Sequence, residues 1–580
     1  MILTFMAILL LALVFTGVGL LFPWSLFRKE PTFDHLLLAF WSGWAMVIGF
    51  LQVWHMFFRV GPAAFVIILA ASLWGWAQSW RILRDMTCNW HVRHTLLLAV
   101  LGSIPALILA NHVLFVPFNI NVDHGLYHMQ TVEWNSQYAI VPGLGNLHHR
   151  FAFNSSHFLY PALLDWGILE GRSYYVASTL LGYVLFLGCA ASFYQLFRMI
   201  TISRLFFALM IPVVMEYISS GFMAGYSSDV PIFMLHVVLA GEFLRLYENA
   251  WEQDVFHNRA MTMALLVGAG TTAKLSFAVF GSAILLAVVV LWVVRFRGPL
   301  RSGLPTWLAW AGIVLALVIP WQVRSVILSG YLFYPSPLLS LPVPWKIPLE
   351  FVDVIQPGIT EWARTGSNIV PYTADLTWFE AWSELLPFIV RQAVMFTLAL
   401  LLADLLLFGW LKQRAARTGE KLAPYWGAAV LFAVSAVSLV YWFVLAPSYR
   451  FSGAIFWLLL VSVVLFGFRL LAASELVHHP LRLAASLVLV GALWLSPNQF
   501  SNNLSRRLLL TPPSEKTLAE EAQPLSNAQP RTTRAGLTVY LPPNAFCLHY
   551  PLPCTPLADY LDNLALFEAG NLQRGLYLMR

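Results

Sequence analysis

The sequence predicts an all-α polytopic membrane protein of about 14 transmembrane helices (range about 11 to 14), with long outer loops and a small extracytoplasmic C-terminal tail. Three observations carry this. Of 580 residues, 59% are hydrophobic and only 11% charged, against roughly 25% charged in soluble domains. Mean hydropathy is +0.71. Runs such as Ile2 to Phe22, Leu36 to Phe58 and Val176 to Phe197 approach or exceed the roughly 20 apolar residues that cross a bilayer as a helix.

In chain order the expected spans are 2–22, 35–58, 62–80, 95–111, 176–197, 205–219, 230–247, 260–274, 277–294, 306–325, 387–411, 424–445, 452–468 and 483–497. The first reads as a retained helix, because no small-residue cleavage pattern follows it and Pro23, Trp24, Arg28 and Lys29 come next. The pair around Lys274 rests on a short, glycine-rich first member, and merging the two would move every later loop to the other side. The positive-inside rule decides. One set of alternate loops holds Arg28 and Lys29, Arg81, Arg84 and Arg93, Arg198 and Arg204, Arg245 and Arg259, Arg295, Arg297 and Arg301, Lys412 to Lys421, and Arg469 and Arg482. The opposite short loops offer little beyond Arg59, Lys274 and Arg450. Both spans are therefore kept. The N-terminus, loop 112–175, loop 326–386 and the tail then face outward, on the periplasmic side of a bacterial inner membrane. The formal charge of +6 is a topological and lipid-headgroup signal, and no nucleic-acid partner is expected.

Residues 1–497 form the membrane domain and 498–580 the tail. The stretch 498–535 reads as a linker with some helix, and "AGLTVYLPP" as a short strand. Cys547 and Cys554, in "CLHYPLPC" on the oxidising side, predict a small disulfide-closed loop, with two free thiols as the alternative. Cys88 and Cys189 fall in a cytoplasmic loop and a span. A zinc site at the pair is disfavoured: His549 sits between them, but no second ligand pair lies beside it.

Loop 112–175 is about 60 residues long, far beyond a simple helix connection. In "NVDHGLYHMQTVEW", Asp123, Tyr127 and Gln130, like His124 and His128, recur at helical spacing, which predicts a short surface helix with an acid, a phenol and an amide on one face. "VPGLGNLHHRFAFNSS" reads as a turn-rich ordered loop whose donors are Asn146, His148, His149, Arg150, Asn154 and Ser155. Such a set fits an outer-face site where a carboxylate is base and cations hold a phosphate. It also fits a loop that only caps its own helices. Zinc bound by Asp123, His124 and His128 lacks the general base of an HExxH pattern.

A multi-pass chain whose first long outer loop begins with an Asp resembles the GT-C class of membrane glycosyltransferases, which use polyprenyl-phosphate-linked sugars. More narrowly, "DHGLYHMQTVEW", "VPGLGNLHHRFAFNSS", "AKLSF", "ILSGYLFYP", "APSYRF" and "PLPCTP" look like a family of bacterial inner-membrane proteins associated with that class, over most of the chain. The resemblance implies a GT-C-like fold and Asp123 as catalytic base toward an acceptor hydroxyl. Cations would stabilise the leaving lipid phosphate, with Arg150, Lys274, Arg324 and Arg450 as candidates. Substrate-binding candidates are His124, Tyr127, His128, Gln130, Asn146, His148, His149 and Asn154, with Asp229 as a second carboxylate. For several of these the plain alternative is snorkelling to the interface or a hydrated loop position.

Glu133 is expected on the solvent face of the short helix, Asp165 and Glu170 at the cap of the next span, and Asp404 and Glu216 as structural partners between spans. The aromatic loop 326–386 suits sugar rings or an interfacial belt. Expected partners are the lipid-linked donor, a glycan, lipid or protein acceptor, and membrane lipids. No cofactor is required by the sequence, and a divalent metal stays open. The rival reading is a transporter or flippase of a lipid-linked saccharide. The absence of matching broken segments in two halves argues against it, and no P-loop supports a pump.

Overall fold

The computed structural model describes residues 2–22, 25, 32–88, 103, 122–219, 223, 225–249, 252–296, 300–366, 378–419, 425–473, 479–495, 529–543, 546–548, 550–558 and 560–579. Its long helices, in chain order, are α1 (Ile2–Leu20), α2 (Phe33–Trp54) and α3 (Pro62–Cys88). The short α4 (Met129–Gln137) and α5 (Leu159–Leu164) follow in loop 112–175, which is expected to face outward and is called outer loop one. Then come α6 (Tyr174–Leu196), α7 (Ile202–Ile218), α8 (Asp229–Glu248), α9 (Gln253–Ala273), α10 (Phe277–Phe296) and α11 (Leu300–Ser329). Loop 326–386, likewise expected to face outward and called outer loop two, carries α12 (Leu349–Val352), α13 (Ile355–Thr365) and α14 (Trp378–Leu385), before α15 (Phe388–Thr418), α16 (Trp426–Leu445), α17 (Ile455–Ala473) and α18 (Pro480–Leu495).

Ten helices among the described residues are long and apolar enough to cross a membrane: α1, α2, α3, α6, α8, α10, α11, α15, α16 and α17. The chain is a multi-pass membrane protein. The ten fall short of the expected 14 for physical reasons that differ by span. The expected spans 205–219 and 483–497 are the helices α7 and α18, of 17 and 16 residues. The span 260–274 is α9, which begins at Gln253 and takes in the polar Asp254, His257, Asn258 and Arg259. The span 95–111 lies, apart from residue 103, outside the described residues.

Close packing of α1, α2 and α3 is made by residues without a side chain. A Cβ on Gly43 would fall 1.8 Å from the Phe15 carbonyl oxygen, and one on Gly75 would fall 1.9 Å from that of Gly17. Small residues let backbones approach where no hydrophobic gain separates helix from lipid.

The two ends of the bundle differ. At one end, α8 and α9 carry Glu242, clamped by Arg245 and Arg259 at 2.7 Å each, with Arg245 also 3.6 Å from Asp34 of α2. The start of α7 is held there too, since Glu248 accepts from the backbone N–H groups of Ile202 (2.5 Å) and Ser203 (3.1 Å). At the opposite end lie outer loops one and two and the tail, joined through backbone bonds such as Gly143 N–H to Ile327 O (2.8 Å) and Leu576 N–H to Pro142 O (2.9 Å).

The tail forms two antiparallel hairpins, β1 (Gln529–Thr532) with β2 (Thr538–Leu541), and β3 (Leu564–Leu566) with β4 (Leu576–Leu578). The strand expected in "AGLTVYLPP" is β2. The expected linker lies outside the described residues up to 528. Cys547 and Cys554 are disulfide-bonded, with Cα atoms 5.9 Å apart.

Candidate active site

Outer loop one does not continue as the single α-helical face that the spacing predicts. His124–His128 is one π-helical turn, in which Met129 N–H donates to His124 O, and α4 follows. A π-turn widens the register and is common at functional sites. It splits the expected face. Asp123 and Tyr127 turn to a charged cluster, while Gln130 turns to the tail and donates from Nε2 to Leu548 O (2.9 Å) and Tyr550 O (3.0 Å). Gly125 is needed where the tail presses: a Cβ would meet Leu548 Cδ2 at 3.0 Å and Phe546 Cδ1 at 3.1 Å.

Five charged side chains from five separate segments then meet in alternating order. Arg150 Nη1 donates to Asp123 Oδ1 at 2.5 Å, and Arg450 Nη1 lies 2.6 Å from Asp123 Oδ2. Arg450 Nε donates to Asp229 Oδ2 at 2.6 Å, and Lys274 Nζ donates to Asp229 Oδ1. Three cations thus flank two carboxylates, so the cluster carries one positive charge in excess.

Each member sits where the local fold favours it. Asp229 is the first residue of α8, where a carboxylate meets the positive end of the helix dipole, and Ser227 Oγ donates to it at 3.1 Å. Lys274 caps the C-terminus of α9, where the dipole favours a cation, and lies 4.2 Å over the Phe451 ring. Arg150 follows His148, whose Nδ1 accepts from the Arg150 backbone N–H at 3.1 Å, and its guanidinium lies 5.5 Å over Tyr127. Arg450 belongs to the Tyr449–Ser452 turn. That turn ends at Gly453, whose φ of +57° favours glycine, and it is anchored by Trp442 Nε1 donating to Ser448 O at 2.8 Å and Trp382 Nε1 to Pro447 O at 2.5 Å.

Electrostatics follow from that order. Burial raises the Asp123 pKa, but the guanidinium of Arg450, then His128 and Arg150, outweigh it, so the carboxyl ends below its ordinary value. Burial and then Asp123 push the Tyr127 phenol well up. Burial holds His128 down to about 3 and His149 to about 4, so both rings are neutral at pH 7. Arg450 is pushed up because Asp229 and then Asp123 outweigh its desolvation.

The remaining candidates divide into supports and outliers. His124 Nδ1 accepts from Tyr226 N–H at 3.2 Å, and the His124 and His128 rings stand 6.5 Å apart at 79°, so the π-turn does not converge them as ligands. Asn146 donates to Trp345 O at 2.9 Å, and Asn154, at φ +52°, donates to Trp321 O at 2.7 Å while Trp321 Nε1 donates back at 2.8 Å. His148 and His149 stack at 4.8 Å. Arg324 lies apart from the cluster, its Nη1 donating to His55 Nδ1 at 2.6 Å. Glu133 is not on a solvent face: it is half-buried, and Gln130 and Gln137 donate to its carboxylate at 3.2 and 2.9 Å. Asp165 accepts from Gly171 N–H at 3.0 Å, which closes its own turn, and Asp404 packs where a Cβ on Gly467 would be 2.3 Å from Oδ1.

Sequence reasoning missed Ser227, Phe451 and His157. The first two adjoin singled-out residues in "SSD" and "YRF", a signal that was available. His157 is fully buried, and neither ring nitrogen has a hydrogen-bond partner among the described residues. Burial holds it at about 3, with Asp229 the opposing charge. Among the described residues, no group of three His, Cys, Asp or Glu is placed to hold a metal ion.

Such a cluster can position an anion on its excess positive charge and offer a carboxylate beside it. A match to the family described as "Domain of unknown function (DUF8201)" covers residues 1–457, which takes in all five charged residues. No curated protein and no solved structure matches the chain.

Proposed function

We propose that this chain, which belongs to the family described as "Domain of unknown function (DUF8201)", is a GT-C-type membrane glycosyltransferase. It moves a sugar from a polyprenyl-phosphate-linked donor to an acceptor at the outer face of a bacterial inner membrane, with 14 spans and both termini periplasmic. The observation that carries the reading is Asp123 held between Arg150 and Arg450 at 2.5 and 2.6 Å.

In the resting site the two guanidiniums make Asp123 a weak base. A lipid phosphate bound to the same guanidiniums competes for them, and loss of two cationic neighbours raises the carboxylate's proton affinity. Asp123 then takes the proton of the acceptor hydroxyl as its oxygen bonds to the anomeric carbon. The bond from that carbon to the phosphate oxygen breaks, and its electron pair leaves with the phosphate. Arg150, Arg450 and Lys274 stabilise the charge growing on the leaving group more than the ground state.

The rival reading, a transporter, would draw on Glu242, Arg245 and Arg259. Those groups are paired with one another at the opposite end of the bundle, which supports a staple between α2, α8 and α9. The test of the enzyme is Asp123→Asn, purified and assayed against a panel of polyprenyl-phosphate sugars. Transfer should be lost while the protein elutes as a folded species. Full transfer by that variant removes Asp123 from the base role.

A further inference from the structure

Beside the charged cluster, across α4, lies a cavity of about 550 Å³. One wall is the α4 face bearing Glu133, Ser136 and Gln137, and the other is the turn that carries Asp165, Trp166 and Arg172. Arg59, Glu170, Tyr174 and Tyr226 complete its polar and aromatic lining. The volume falls in the range of small-ligand sites, roughly 300–1,000 Å³. None of these groups takes part in the chemistry above.

We propose that this cavity holds a non-anionic saccharide, the unit that receives or adjoins the transferred sugar. This rests on the transferase reading for the ligand's role but not for its binding. Three features select the ligand class. Three carboxyl groups face two guanidiniums, so the lining carries between zero and one negative charge as Glu133 titrates and lacks the excess positive charge with which the Asp123 cluster attracts anions. Burial and then Asp165 lift Glu133 to about 7, and burial lifts Asp165 to about 6, so near neutral pH the cavity presents both a carboxyl donor and carboxylate acceptors. A sugar hydroxyl both donates and accepts, and can use both. Trp166 is 39% exposed, with its indole N–H fixed on Leu163 O at 2.9 Å, which leaves an oriented aromatic face for the apolar side of a sugar ring.

The cavity also backs onto the catalytic segment. Tyr174 and Tyr226, two of its lining residues, pack on His124 at 5.2 and 5.1 Å, and Tyr226 N–H bonds that ring. His124 follows Asp123 in the chain. Saccharide in the cavity therefore bears on the turn that presents the base, while the anionic donor occupies the opposite face.

The experiment is calorimetric binding to full-length protein in lipid nanodiscs. The probes are a neutral N-acetylglucosamine tetramer, its deacetylated cationic counterpart and a galacturonate tetramer. The neutral or cationic probe binds, and the galacturonate does not. Trp166→Ala removes the stacking face, and Ser136→Trp fills the cavity from α4. Each should weaken binding tenfold or more while elution volume stays that of the wild type. The proposal is overturned if galacturonate binds best, if neither other probe binds, or if both variants bind as the wild type does. Binding that persists in Asp123→Asn without transfer upholds both readings. Binding with undiminished transfer in that variant upholds the cavity and removes Asp123 from the base role, and binding by a wild type that transfers from none of the lipid-linked sugars sinks the transferase reading alone.

Discussion

The Arg450 guanidinium and the Asp123 carboxylate meet at 2.6 Å, and the same guanidinium holds Asp229 at 2.6 Å from its Nε. One planar fork thus joins outer loop one to the start of α8. A lysine cannot do this, because its ammonium is a single point of charge on a flexible stem. Arg450→Lys should lower transfer by about 10²-fold or more, the scale of losing one preorganised donor. Its thermal midpoint should fall as well, since opening a buried pair costs about 3–5 kcal/mol. Transfer within threefold of wild type would show that Arg450 only spaces the loops.

Arg150 and Arg324 separate a cluster cation from one that lies outside it. Arg150→Gln should raise the KM for the lipid-linked donor at least tenfold, because it removes a cation that the phosphate meets. Arg324→Gln leaves the cluster intact but deprives His55 Nδ1 of its donor. It should lower the unfolding midpoint with donor KM little changed. Equal KM effects in the two variants would contradict the placement.

Much of this site was legible in the sequence, and the reason is chemical. A charge in an apolar chain stands out, so Asp123, Arg150, Asp229, Lys274 and Arg450 could be picked as residues. Their alternation could not, because it depends on where five loops meet in space. The π-turn at 124–128 was invisible for a related reason: helical spacing reads the same over one turn whether the hydrogen bonds skip four residues or five. Glu133 was misplaced because an amphipathic pattern does not say that the turn bearing Asp165 will face the polar side of the helix. The order of the long apolar helices among the described residues was legible, since apolar length decides it locally. The shortfall at α7, α9 and α18 is one of length and of a polar first half.

Acid stability should report on Asp123. Its folded pKa is depressed, so the group adds stability above its unfolded value of about 3.9, and that stability is lost as pH falls through the folded pKa. Thermal midpoints measured from pH 6 down to pH 3 should drop for the wild type and drop less for Asp123→Asn. Parallel curves would mean that the two guanidiniums do not hold the ionised form.

The 547–554 loop lies against the π-turn, where Gln130 donates to Leu548 O and Tyr550 O. A disulfide closing so short a loop contributes about 2–3 kcal/mol by the chain-entropy model. The double variant Cys547→Ser, Cys554→Ser should therefore free the tail for limited proteolysis and reduce transfer, while the membrane helices keep their far-ultraviolet signature. A tail as resistant as that of the wild type would place its anchorage in the β4 contacts to Pro142 and Asn146 instead.

Glu133 provides a titration of opposite sign. Gln130 and Gln137 donate to its carboxylate, Asp165 faces it with like charge, and Arg59, Arg172 and Glu170 share its cavity. Burial, then Asp165, raises its folded pKa to about 7 from 4.5. A raised carboxyl pKa means that the protonated form is favoured by folding. The contribution is full below the unfolded value and is lost as pH rises through the folded one. Glu133→Gln mimics the protonated group and escapes that loss. The variant should match the wild type at pH 4 and become progressively the more heat-stable of the two between pH 4.5 and about 7, with the gap level above that. Asp165, raised to about 6 by burial, titrates in both proteins and cancels to first order in the difference. A gap that is constant with pH, or that opens only below pH 4.5, would show that Glu133 meets water rather than the cavity wall.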